Sequence, residues 1–267
     1  MSEVGGFNPK SGYSLDVSRG LIPGVRCVSK FGVAPSGLQT TPTDIWSRAD
    51  ATPTQQIWLA PTAARIHTIA STSSEDDTSQ TGVDTVIVYY LPDWDTKETT
   101  QTITGDLNAG IAMAEAAVMI HRMKVVPQAT TTGVGGNIGT ITATAATDAT
   151  ITAVILPGDG QTEMAIYGVP STQTLHLTRW GAQIDKTTGG IGGADFQIRV
   201  NPNPDVQTLA FLRKDDISVQ STGVNTKDRH FSCYPIFDGP CIIKVQAFSS
   251  ANDIDGEAGF DGFLTDN

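Results

Sequence analysis

Charge is sparse in this chain of 267 residues, at 17%, and aromatic residues are sparser still, at 7%. Basic side chains are the scarcer sign: 17 Lys and Arg stand against 28 Asp and Glu, for a net charge of −11. A phosphate backbone would be repelled over most of such a surface, so nucleic acid is set aside as a partner. The 3 cysteines contain no CxxC pair and cannot build a disulfide framework or a zinc ribbon. Free thiols are expected at Cys233 and Cys241, both buried. No apolar run reaches the length of about 18 residues that a membrane helix needs, and the opening MSEVGGFNPK lacks a basic-then-apolar leader, so neither a span nor a signal peptide is expected.

Catalytic signatures are missing as well. There is no GxSxG elbow and no HExxH pair. His67, His121, His176 and His230 each fall singly in a strand-like run, where a satisfied sheet residue is commoner than a base. The glycine clusters at 133–139 and 189–193 lack the GK[ST] ending of a phosphate loop and read as turns. Asp93 and Asp95 flank Trp94 in a glycosidase-like pairing, but Pro92-Asp93 also explains itself as a tight turn. Asn252–Glu257 alternates oxygen ligands without completing a calcium loop, and reads as an acidic turn. No enzyme activity, cofactor or metal is expected.

What the chain has in abundance is glycine (27) and threonine (35), with short apolar runs at intervals of ten to fifteen residues. Threonine is a strand former and glycine a turn former, so the chain reads as all-β: an antiparallel β-sandwich of jelly-roll type with an extended N-terminal arm and at most one short helix. Candidate strands include Asp84–Leu91, Met119–Val126, Gln173–Ile184, Phe196–Asn201, Cys241–Phe248 and Gly256–Leu264. Thr96–Thr104 alternates polar with polar and reads as an exposed edge. The alanine-rich stretch Leu107–Ile120 is the helical candidate. Residues 129–153 read as a flat Thr/Ala hairpin with little to bury. Asp238-Gly239 signals a hairpin turn.

Residues 1–45 are expected to form the arm and 46–267 the sandwich. Glycine and proline interrupt the arm every few positions, yet apolar residues recur between them. Phe7, Tyr13, Leu21, Ile22 and Phe31 are the candidate partner-binding residues, since apolar side chains at that density need a surface to cover. Charge supports a polarised molecule: residues 71–106 and 245–267 carry all the net acidity, whereas the first fifty residues are slightly basic.

Three stretches carry a resemblance. Phe31-Gly32 followed by Thr43-Asp44-Ile45-Trp46, the segment Ile69–Val88, and Ile243–Asn267 with its SSAN and GFDGxL elements are together similar to an uncharacterised family of virion structural proteins of tailed bacteriophages. The resemblance implies a β-sandwich particle component that is not an enzyme; with the Thr/Gly-rich β pattern, the segregated acidity and the apolar arm, a virion protein assembled in the host cytoplasm is expected, a head decoration or cement role foremost. Its implied partners are the major capsid protein or another virion protein, and further copies of itself, a trimer favoured. A tail collar, ring or fibre adaptor is the alternative within the virion. A carbohydrate-binding module stacking sugars on Trp58, Trp94 or Trp180 is the alternative outside it.

Overall fold

Alternation of apolar and polar side chains becomes the architecture directly. In Thr85–Leu91 the residues Val86, Val88 and Tyr90 turn inward while Thr85, Ile87 and Tyr89 lie between core and solvent. The computed structural model describes residues 12–48, 56–127, 136–185, 192–206, 210–221, 225–252 and 254–267. It contains helix α1 (Tyr13–Ser18) and strands β1 (Val25–Leu38), β2 (Thr43–Asp44), β3 (His67–Ser71), β4 (Thr85–Leu91), β5 (Thr99–Thr104), β6 (Ile111–Ala112), β7 (Met119–Val125), β8 (Ile141–Ala145) and β9 (Ile151–Ile155). There follow β10 (Ile166–Val169), β11 (Gln173–Asp185), β12 (Gly193–Asn201), β13 (Leu212–Gln220), β14 (Thr226–His230), β15 (Ile236–Asp238), β16 (Cys241–Ser249) and β17 (Ile254–Asp266). The fold is all-β and antiparallel, with one short helix among the described residues.

Among the described residues the strands form four sheets, in the orders β1-β17-β11-β14, β10-β16-β12-β13, β6-β3-β8-β9 and β5-β4-β7; β15 adds to β11 and β2 to β16. The first two enclose one core, built on Trp180, Phe196, Phe260 and Leu264, and the last two enclose another, built on Trp58, Tyr90, Met119 and Ile120. The strands of the second core, β3 to β9, are inserted between β2 and β10 of the first. β16 serves both. Its odd residues Ile243 and Val245 belong to the first core and Ile242 to the second, so the run CIIKVQA is buried throughout.

That second face of β16 carries Lys244 and Gln246 into the interior, where they meet Asp44. Lys244 Nζ donates to Asp44 Oδ2 at 2.6 Å and Gln246 Nε2 to Oδ1 at 2.8 Å. The Trp58 backbone N–H donates to Oδ2 at 2.8 Å, and the Trp58 indole N–H reaches the Thr152 carbonyl on β9 at 2.9 Å. Lys244 also lies 4.2 Å above the Phe211 ring. A second buried carboxylate closes the inserted sandwich: Asp76 accepts from the Ser71 hydroxyl and from the N–H groups of Val83, Ile138 and Gly139 at 2.5–3.1 Å.

Several expectations are corrected. Leu107–Ile120 is not a helix: Gly110 adopts φ +80°, β6 occupies its middle, and Leu107, Met113, Ala117 and Met119 are all buried. Alanine propensity there loses to burial of apolar residues spaced for no single helix face. The hairpin β8-β9 does pair around Asp148, but Ile141, Ala143, Ala153 and Ile155 sit in the core, so small side chains fill it rather than leave it flat. Asp238-Gly239 does not join two strands of one hairpin. β15 pairs with β11 and β16 with β10 and β12, so the turn passes the chain between sheets. A Cβ on Gly239 would lie 1.9 Å from the Pro170 carbonyl oxygen, which leaves glycine the one residue that fits. Cys233 is exposed and Cys241 buried; both thiols are free, and burial pushes Cys241 up to about 12.

The Asp44 cluster yields a stability prediction. Lys244→Met leaves a buried carboxylate without its cation and should lower the free energy of unfolding in urea by about 3–5 kcal/mol. The double variant Lys244→Met/Asp44→Leu should lose less than Lys244→Met alone, because it removes the orphaned charge too.

Candidate functional site

β1 alternates strictly, and its two faces lead to two different features. Cys27, Ser29, Phe31 and Val33 point out of the first sheet, whereas Val28, Lys30 and Ala34 point in. Register extends the outer row across the sheet: Phe31 lies beside Gly259, Gly259 beside Gly181, and Gly181 beside Asp228. The next row holds Val33, Glu257, Gln183 and Thr226. Two adjacent glycines leave a shallow trough of about 360 Å3, walled by Phe31 on one side and by the Arg179–Asp228 ion pair (3.1 Å) on the other. Further along the same face α1 is laid over the sheet, its Tyr13 ring meeting Phe263 edge-on at 5.1 Å.

The partner-binding candidates distribute as follows. Tyr13 (41% exposed), Leu21 (62%) and Phe31 (41%) present apolar surface to solvent, and Leu15 joins them at 46%. Ile22 is half-buried. Phe7 lies outside the described residues. Phe31 belongs to β1 itself and Tyr13 rests on β17, so the sheet brings these two onto one face although a helix and a turn separate them in the chain.

The inner face of β1 leads to a buried ionic cluster at the strand's free edge. Arg26 Nη1 donates to Glu98 Oε1 at 2.7 Å and Nη2 to the Tyr167 hydroxyl at 2.7 Å. The other oxygen of Glu98 accepts from His121 Nδ1, and Lys30 Nζ donates to the His121 carbonyl. Tyr167 and His121 stack, ring centres 4.1 Å apart. Arg122 Nη2 caps the Ser29 carbonyl at 2.8 Å. Burial, together with the nearby Arg122 and against the pull of Glu98, lowers the Lys30 amine to about 7. His121 is also lowered, chiefly by burial, so its ring is neutral near pH 7 and Nδ1–H is the donor. Burial would raise Glu98, but the His121 ring and the Arg26 guanidinium hydrogen-bonded to it hold it down at about 2.

No family model matches the chain, and no curated protein matches it either. Among solved structures, the chain is similar to the VP2 subviral particle of infectious bursal disease virus, at 10% identity over 90% of this chain and 71% of that one, with a TM-score of 0.22. The Gt strain of the same virus gives 10% identity, the same coverage and 0.22. The Gx strain gives 10%, coverage of 90% and 70%, and 0.20. The overlap is too low to transfer anything to this chain.

Other sequence readings resolve against the coordinates. Trp58 and Trp180 are 1% and 0% exposed and offer no face to a sugar, while Trp94 packs partly buried against the second core. Asp93 accepts from the N–H groups of Asp95 and Thr96, the turn geometry that Pro92 announces. The four histidines all lie in strands, but His121 is not solitary. Sequence reading missed its cluster, although a signal existed: a lysine at the inward position of the run VSKFGVA is a charge aimed at a core.

The cluster makes stability depend on pH. Between about pH 7 and 10.5 the unfolded chain keeps the Lys30 proton that the folded chain has shed, so this residue makes stability rise with pH across that window. From pH 6.5 to 8.5 the wild-type chain should gain about 2 kcal/mol relative to Lys30→Met in parallel urea titrations. Glu98 acts at the other end: its contribution is present above about pH 4.5 and is lost as pH falls toward 2, a loss that Glu98→Gln should abolish.

Proposed function

We propose that this chain is a non-enzymatic structural component of a tailed-phage virion, a head decoration protein that binds the capsid shell as a homo-oligomer. The observation that carries the reading is the outer face of the first sheet, where Tyr13, Leu15, Leu21 and Phe31 expose apolar surface on and around β1. Each such side chain contributes about 1.5–3 kcal/mol when fully covered, and repetition over many copies on a shell multiplies the effect. The phage resemblance of the FG…DIW, Ile69–Val88 and C-terminal stretches supports the same reading.

Within it, Phe7, Tyr13, Leu21, Ile22 and Phe31 are the anchors, the major capsid protein the partner and a trimer the oligomer. Leu21→Ser combined with Phe31→Ser should cut the occupancy of the protein on purified particles at least tenfold, by quantitative mass spectrometry, while circular dichroism of the free protein stays unchanged. Undiminished occupancy would remove this face from the interface. Copy number separates head from tail, since hundreds per particle fit a decoration role and six or twelve a collar or ring.

A further inference from the structure

The cavity at the free edge of β1 holds more positive charge than its own acid answers. Arg26, Lys30 and Arg122 line its volume of about 180 Å3 with Glu98 as the one acid of the lining, while Asp266 acts on Arg26 from outside it, in a chain whose net charge is −11. Glu98 is committed on both oxygens, to Arg26 and to His121. The acceptors of the remaining cationic donors are uncharged: the His121 carbonyl for Lys30, the Ser29 carbonyl for Arg122 and the Tyr167 hydroxyl for Arg26. Arg26 Nε is buried and has no acceptor among the described residues. Lys30 is only 4% exposed. An ammonium in that setting is destabilising unless an opposite charge reaches it.

We propose that this cavity is a binding site for a small inorganic oxyanion, phosphate or sulfate, held by Lys30, Arg26 and Arg122. The volume admits one tetrahedral anion with its oxygens in reach of several donors, and charge-assisted bonds of this kind are the strong ones. Exposed Cys27 and Ser29 also line the cavity, so it is open to solvent on that side. The groups facing Lys30 are Arg26 from β1, Tyr89 from β4, Glu98 ahead of β5, His121 and Arg122 from β7 and Tyr167 from β10. Among them Glu98 is the sole standing negative charge at neutral pH, and burial with the neighbouring Arg122 depresses the Lys30 amine despite it. A bound anion would return the proton to it. The site is independent of the capsid reading and of the apolar face.

The test is calorimetric titration of the full chain at pH 7 with sodium phosphate and sodium sulfate, beside thermal unfolding in the same salts and in sodium chloride of matched ionic strength. Binding of one anion per chain is expected, with a midpoint about 3 °C above the chloride control at ten times the dissociation constant. Lys30→Met should weaken binding at least tenfold. Arg122→Gln, at a half-buried position, should weaken it several-fold and serves if Lys30→Met fails to fold. Sulfate affinity should fall from pH 6.5 to 8.5 as Lys30 deprotonates. No binding heat, a midpoint shift equal to that in chloride, or affinity unchanged in the variants would overturn the proposal.

Discussion

The molecule depends on one buried carboxylate. Asp44 sits where the chain leaves the first sandwich for the second, and its two oxygens take the Lys244 ammonium, the Gln246 amide and the Trp58 N–H. Through the first two it is fixed to β16, the strand both cores share; through the third it sets Trp58, whose indole is tied to β9. A second polar tie, Arg26 to Glu98 and Lys30 to the His121 carbonyl, joins β1 to the inserted sheets, and apolar contacts around Ile166 and Ile242 complete the junction. A buried ion pair is a poor source of net stability, but it is a demanding one geometrically, and here geometry is what the junction requires.

The alternation of β1 places two unlike features back to back. Outward residues give a half-exposed apolar strip; inward residues give a cavity of converging cations. Because the two sets interleave residue by residue, a shift of one position in the β1–β17 register would exchange them, burying Phe31 and exposing Lys30. The pairing of eleven residue positions with β17 guards against this.

Strand content was legible because it depends on local alternation. The runs at Asp84–Leu91, Gln173–Ile184 and Cys241–Phe248 appear within a residue or two of where β4, β11 and β16 lie. What escaped depends on partners distant in sequence. Leu107–Ile120 has helical composition, but the backbone N–H groups of Leu107, Met113 and Ala117 donate to the carbonyls of Asp76, His67 and Arg65. Asp238-Gly239 has the chemistry of a hairpin turn, yet its use as a passage between sheets is decided by β11, some sixty residues earlier. The ionic cluster joins residues of four separate strands or their flanks, and its only local trace is Lys30 at an inward position.

The placement of β17 has a consequence for the order in which the chain acquires its shape. This strand lies between β1 and β11, and β1 has no other strand partner among the described residues. The first sheet therefore waits for a segment synthesised more than two hundred residues after β1, whereas β3 to β9 can close on one another as soon as they emerge. During translation the sheets of the inserted sandwich would pair, short of the Ile166 and Ile242 side chains that complete their core, while β1 remained without its partner, which makes that strand's exposed edge the vulnerable surface of the nascent chain.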